Sequence, residues 1–346
     1  MLPEELKQKL DADLADAAAR GDDALEETAG GLAETLNKMA EEAASATEAQ
    51  FWFAAARHVL DAALARLPGR WRLHLQNGRA LFSWSRRIAD ADTQLKTMAD
   101  AVRCYRCILE LQPNRHSALG NLAVLLKHYG DIEPDQTAKL HAYNEAEKLY
   151  RRLFGLQPKD WRAMTNLGVL LKDRIDLDPS PAARLAAYGE AESLYRRALE
   201  MQPSQVETIR NLGQLLHDRG DLELAVEQRI ANYLGAVNCY YRLMHIAQHN
   251  MDEIENAILL LIKIADLSND YNKKNLIYEN AKKLCNIALE LQPDRVGVLG
   301  NFAIVIKNSG DIALDHKEKI NAYTEAEKIY RRIIYLIIHD FRPQMS

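Results

Sequence analysis

Five asparagines, Asn121, Asn166, Asn211, Asn256 and Asn301, stand 45 residues apart without a slip. A carboxamide carries both a donor and an acceptor, the pair of groups that a peptide bond also presents. A row of such side chains therefore has the chemistry to grip a polypeptide backbone or to bond a neighbouring copy of itself, and both roles are open at this level. Asn is a mediocre helix former, so its fixed recurrence is not explained by local propensity. A second row, Lys127, Lys172 and Lys307 with His217 in the fourth copy, lies six residues beyond. At 100° per residue this is about 120° around a helix from the Asn direction, near enough to add positive charge or to remain solvated surface.

Other chemistry has less support. Cys104-x-x-Cys107 has no second pair nearby and does not make a zinc site. By the period, Cys104 and Cys239 replace Leu149, Leu194 and Leu284, and Cys285 replaces a tyrosine, so these thiols are expected to stand in for core residues. The ten histidines form no H-E-x-x-H pattern. Neither a Gly-rich phosphate loop nor a nucleophile elbow is present. No enzyme, cofactor or metal is expected.

The elements that position these rows follow from the same period. Gln112-Pro113, Gln157-Pro158, Gln202-Pro203 and Gln292-Pro293 keep it, as do Asp131, Asp176, Asp221, Asp266 and Asp311. Tyr143, Tyr188, Tyr233, Tyr278 and Tyr323 form one aromatic column, extended upstream by Met98 and Phe53. Tyr105, Tyr150, Tyr195, Tyr240, Cys285 and Tyr330 form another. Alanine is invariant at Ala56, Ala101, Ala146, Ala191, Ala236, Ala281 and Ala326. Such self-similarity is the signature of a repeat array. Within one unit, Met164, Leu167, Leu170 and Leu171 predict a first helix, and Leu185, Tyr188, Ala191, Leu194, Tyr195 and Ala198 a second. Pro179 and Pro181 separate the two. Glu147/Arg151, Glu192/Arg196 and Glu327/Arg331 predict a solvated face on the second helix.

These residues resemble the tetratricopeptide signature. Asn166-Leu167-Gly168, Leu171, Asp176, Ala191, Tyr195, Ala198 and Pro203 are similar to its Leu-Gly pair, Gly-Asp turn, small Ala, aromatic, second Ala and Pro. Gly130-Asp131, Gly220-Asp221 and Gly310-Asp311 match the turn in other copies, over residues 52–338. The resemblance implies an all-α fold, an α-solenoid of antiparallel helix pairs wound as a superhelix. The family unit has 34 residues, so the 45-residue unit departs from it. The extra residues, close to three helical turns, predict a lengthened second helix or a longer loop before it. By the resemblance, the Asn row faces a concave groove that binds extended peptide segments, with Lys127, Lys172 and Lys307 adding charge. The expected function is a non-enzymatic protein-interaction scaffold; the alternative is an accessory part of a larger enzyme or complex.

Composition sets the remaining limits. The chain of 346 residues has 44 Lys and Arg against 49 Asp and Glu, a net charge of −5. Residues 1–50 are acidic, Ala-rich and aperiodic, with net charge −9, so residues 51–342 form a slightly basic array of about six to seven units. The head predicts a cap helix carrying Leu6, Leu10 and Leu14, with Gly30-Gly31 breaking a later one, or a flexible arm that folds against the basic array. Nucleic acid is not expected as a partner. No signal peptide or membrane span is visible, so the expected location is cytoplasmic. A last apolar run, with Ile333, Ile334, Leu336 and Ile337, predicts a protein partner or a homodimer contact.

Overall fold

The computed structural model describes residues 3–175, 177, 180–246 and 250–340. Among them are fifteen α-helices and no strand. The chain divides into two compact units, residues 1–177 and 178–346. In the first, α1 (Glu4–Ala19) precedes the hairpins α2 (Asp22–Glu42) with α3 (Ala46–Arg66), α4 (Trp71–Ser85) with α5 (Ala91–Leu111), and α6 (His116–Ile132) with α7 (Gln136–Leu156), and α8 (Trp161–Ile175) follows. In the second, α9 (Pro181–Met201) precedes α10 (Val206–Leu222) with α11 (Val226–Ile246), α12 (Met251–Leu267) with α13 (Tyr271–Leu291), and α14 (Val296–Ile312) with α15 (His316–Asp340). Each unit is an α-solenoid in which every hairpin packs on the next.

Helix starts reproduce the sequence period. Ala46, Ala91, Gln136, Pro181, Val226, Tyr271 and His316 each open a second-type helix, at intervals of 45 residues. The extra length lies in the helices. Second-type helices from α3 to α13 run 21 residues, about 31 Å, and the linker after α6 is only residues 133–135. Their N-caps also keep the period, a signal the sequence reading overlooked. The side chains of Ser45, Asp90, Asp135, Ser180 and Asp270 accept from the backbone N–H three residues on. Each cap contributes about 1 kcal/mol. Pro181 starts α9 at its first position, where a missing N–H costs nothing; Pro179 and Asp176 lie outside the described residues.

The expected Gly-Asp turn is not a turn. Gly130-Asp131, Gly220-Asp221 and Gly310-Asp311 sit inside the last turns of α6, α10 and α14. Gly130 is required by close packing, since a Cβ there would come within 2.5 Å of Tyr143 Cε1. Nor do Gly30-Gly31 break a helix: α2 runs through them. A Cβ on Gly30 would meet Gln76 Oε1 at 3.0 Å, so that glycine lets α2 and α4 approach.

The alanine column is buried throughout, at the helix crossings. The two aromatic columns fill the spaces between hairpins and are buried as far as Tyr278 and Cys285. Cys104, Cys239 and Cys285 are buried among them, and Cys107 is half-buried. Burial pushes the Cys104 and Cys285 thiols up to about 12 and Cys239 up to about 11, so they remain protonated core groups at neutral pH. The head is helical over α1, α2 and the start of α3: Leu10, Leu14, Leu25, Ala29 and Leu36 share one core cluster with Val59 and Leu60 of α3. The compositional boundary at residue 50 falls inside α3.

Candidate groove site

Within the first unit, the first-type helices α2, α4 and α6 line a groove of about 710 Å³, floored by Phe53 and Tyr105 from second-type helices. Asn121 and Val124 of α6 line it, as do Gln76 and Arg79, which hold the same two columns one period earlier in α4. Gln76 is the polar carboxamide that the sequence reading missed. It is one methylene longer than Asn, and its Nε2 donates to Gly30 O at 3.4 Å. In the second unit the Val124 column holds Leu259 and Ile304, both well exposed beside Asn256 and Asn301.

All five column asparagines are half-buried on first-type helices. They divide by what lies behind them. Burial pushes the Tyr105 hydroxyl up to about 12, against a smaller downward pull from its hydrogen bond with Asn121. Tyr150 is likewise pushed up by burial and held by Asn166. These two carboxamides therefore bond the preceding hairpin while facing outward. Behind Asn256, the buried Tyr240 hydroxyl has no hydrogen-bond partner among the described residues. Behind Asn301 stands Cys285, which has no hydroxyl. Asn121 and Asn166 thus take the structural one of the two roles, bonding a neighbouring hairpin.

The lysine row is tied into the fold. Lys127 Nζ bonds Asp131 at 2.9 Å and Asp173 of α8 at 2.7 Å. Burial opposes its charge, but the two carboxylates outweigh burial and raise its pKa. Lys307 pairs with Asp311 at 2.8 Å, which raises its pKa through the hydrogen bond. His217 lies 3.6 Å from Asp221, which also receives Lys263 at 2.8 Å. Lys172 occupies the same place in α8, four residues before Asp176.

The aspartate column has a structural partner of its own. The hydroxyls of Tyr143, Tyr233, Tyr278 and Tyr323 donate to Asp131, Asp221, Asp266 and Asp311 at 2.7, 2.5, 3.2 and 2.5 Å. This Tyr–Asp clasp joins the two helices of one hairpin. Tyr143 is pushed up by burial and further by its carboxylate neighbour. The α4–α5 hairpin lacks the clasp, because Arg86 and Met98 hold the two columns there.

The second-type faces are less solvated than their sequence suggests. Glu147 pairs with Arg151 at 2.8 Å and also with Arg174 of α8; Glu192 pairs with Arg196 at 2.9 Å and with Arg219 of α10 at 2.7 Å. These glutamates join successive hairpins rather than only decorating a wet surface. Only Glu327, paired with Arg331 at 2.7 Å, remains largely exposed.

Two further surfaces bear on partners. On α15, Ile334, Tyr335, Ile337 and Ile338 are 57%, 60%, 44% and 57% exposed, with Ile333 and Leu336 half-buried among them. Among the described residues no group of three or more His, Cys, Asp and Glu could hold a metal ion, and no helix is long and apolar enough to cross a membrane.

No protein-family model matches the chain, and no curated protein matches it. Among solved structures, it is similar to PilF of Pseudomonas aeruginosa, at 14% identity over 78% of this chain and 96% of that one, with a TM-score of 0.45. It is similar to MamA, at 11% identity over 64% and 98%, with a TM-score of 0.39. It is also similar to YrrB, described as a TPR protein with an unusual peptide-binding site, at 14% identity over 69% and 95%, with a TM-score of 0.38. Superpositions at this level carry no functional weight. The chain's own helix pairs, with their Ala, aromatic and Asn columns, are what make each unit a tetratricopeptide-like α-solenoid.

Proposed function

We propose that this chain is a protein-interaction scaffold that holds extended peptide segments against its first-type helices, with no catalytic step of its own. The observation that supports this reading is the groove between α2, α4 and α6, which collects the carboxamides of Gln76 and Asn121 beside Tyr105 and Phe53. Carboxamides at successive helices can each meet one peptide group. Helix axes lie about 8–10 Å apart, close to the length of three extended residues. In the second unit Asn256 and Asn301 would do the same, with Leu259 and Ile304 receiving apolar side chains. The lysines Lys127, Lys172 and Lys307 would contribute through their field rather than by direct contact, since Lys127 and Lys307 already hold carboxylates.

Selection of random-sequence displayed peptides on the intact protein tests this reading. Asn256→Ala and Asn301→Ala suit the control, because no tyrosine hydroxyl is held behind either. Peptides selected on the second unit should lose binding to this double variant while its melting temperature stays unchanged. Equal binding to the variant would remove Asn256 and Asn301 from the site.

The exposed face of α15 favours a second contact. Tyr330 is 39% exposed, whereas its column mates Tyr105 and Tyr240 are buried under the following first-type helix. We propose that a second copy of the chain covers Ile333, Ile334, Leu336 and Ile337. Sedimentation should show a dimer that Ile334→Glu with Ile337→Glu converts to monomer; a monomer at all concentrations would overturn it.

A further inference from the structure

The groove of the first unit has two walls of opposite charge that do not neutralise each other. Glu34 and Glu41 lie seven residues apart on α2, and Arg79 and Arg86 lie seven apart on α4 and its C-cap. Seven residues are two helical turns, about 10 Å along the axis, so each pair shares one helix face. Both helices are first-type, run parallel and pack side by side. Two contacts fix their register: Gln76 with Gly30 O at 3.4 Å, and Ser83 Oγ with Glu41 at 3.3 Å. Each glutamate is therefore brought level with one arginine. Elsewhere along α2 and α4 opposite charges do meet, as Arg70 does with Asp23 at 2.8 Å and Glu26 at 3.3 Å. Yet none of Glu34, Glu41, Arg79 and Arg86 makes an ion pair among the described residues, although all four line the groove. Arg79 and Arg86 both line the groove, and their fields reach Tyr105 and His128 of α6, respectively. Asn37 Oδ1, between the two glutamates on α2, is buried without a hydrogen-bond partner among the described residues.

The repeat makes this arrangement specific to one copy. Arg86 occupies the column that is aspartate in every later hairpin, and Met98 the column that is tyrosine. Where α6–α7, α10–α11, α12–α13 and α14–α15 close a Tyr–Asp clasp, this copy leaves the Arg86 guanidinium lining the groove with no ion pair among the described residues.

We propose that this groove receives an extended polypeptide segment carrying both acidic and basic side chains, with the acidic ones toward α4 and the basic ones toward α2. An extended chain projects successive side chains to opposite sides, which suits two facing walls of opposite sign. A backbone N–H of the segment would satisfy Asn37 Oδ1, and Asn121 would meet another peptide group. The inference rests on the reading of the groove as a peptide site and adds the charge pattern of what binds there.

The test is fluorescence anisotropy with the full chain and three capped, labelled dodecapeptides: alternating Glu-Lys, all-Glu and all-Lys. The alternating probe should bind tightest and weaken with salt. Arg79→Gln with Arg86→Gln, and separately Glu34→Gln with Glu41→Gln, should each weaken it about five- to tenfold, as expected for a few exposed charge contacts. These side chains are exposed and make no ion pair among the described residues, and glutamine at position 41 can still accept from Ser83 Oγ, so the variants should melt like the parent. Failure of the alternating probe to bind overturns the inference. So does an all-Glu probe that binds as tightly and responds only to the arginine variant, because that describes a plain anion site. Displayed peptides that bind both charge variants as well as the parent, but lose binding on Gln76→Ala with Asn121→Ala, would leave the peptide groove standing and remove the charge pattern.

Discussion

The hairpins α4–α5 and α6–α7 are neighbours in one unit and share their apolar columns, but they differ at every polar position that joins their helices. In α6–α7, Lys127, Asp131 and Tyr143 form a chain of contacts at 2.9 and 2.7 Å, and Gly130 makes room for the tyrosine ring. In α4–α5 the same four columns hold Phe82, Arg86, Met98 and Ser85. Phe82 packs on His128 with ring centroids 5.5 Å apart, and Ser85 Oγ bonds its own helix at Phe82 O, 2.7 Å away. The aliphatic and alanine columns carry the fold in both copies. The polar columns are free to serve the hairpin in one copy and the groove in the other.

The difference can be broken most sharply at the glycine. Gly130→Leu should destabilise the first unit by about 3 kcal/mol or more, because the side chain would enter the Tyr143 ring. Ser85→Ala, at the same column without a tyrosine above it, should cost about 1 kcal/mol at most. Urea denaturation of the two variants compares them directly, and equal losses would mean that the clasp does not set the packing. Tyr143→Phe should cost about 1 kcal/mol by removing one hydrogen bond to a carboxylate. The triple change Ser85→Gly, Arg86→Asp and Met98→Tyr carries the clasp, with the space its ring needs, into α4–α5. It should leave stability equal or higher by up to about 1 kcal/mol and lower affinity for an alternating Glu-Lys peptide. Unchanged affinity would detach Arg86 from the groove.

Caps should show no such difference, which sharpens the contrast. Asp90→Ala and Asp135→Ala each remove one N-cap acceptor, at 2.9 and 2.8 Å, and each should cost about 1 kcal/mol. A large gap between them would mean that the two hairpins differ beyond their polar columns.

Alkaline pH bears on the core of each unit. A thiol whose folded pKa lies above its ordinary value of 9 stabilises the fold fully below pH 9. That stability is lost as pH rises, because the unfolded chain ionises first. Cys104 and Cys285, at about 12, should each remove about 1.4 kcal/mol per pH unit between 9 and 12. Cys285→Ala should flatten the alkaline limb of the stability curve, and an unchanged limb would show that this thiol does not govern it.

Much of this was legible from residue spacing. Ala146 and its six column mates fall at helix crossings, where only a small side chain fits. Tyr105 and Tyr143 fill gaps between helices, and Cys239 sits in a leucine column as a small apolar group. The groove was less legible. Gln76 escaped notice because it breaks the Asn column by one methylene, and Arg86 because it replaces aspartate with the opposite charge. The lysine row was visible, but its partners were not. Asp173 lies 46 residues from Lys127, and nothing in either residue type says that they meet.

The sequence by itself determined the all-α repeat and the columns that fill its core, because apolar periodicity and fixed small residues leave one way to bury them. It did not separate a turn from a helix at Gly130-Asp131, since glycine and aspartate serve either and only the approach of Tyr143 decides. Tertiary structure alone decided which charges were already satisfied. Lys127 is taken by Asp173 of α8, whereas Arg79 and Arg86 line a groove and make no ion pair among the described residues. The physical reason is range. Helical periodicity acts over a few residues, while an ion pair depends on a distance of a few ångströms between residues some 45 positions apart, which only the stacking of helices sets.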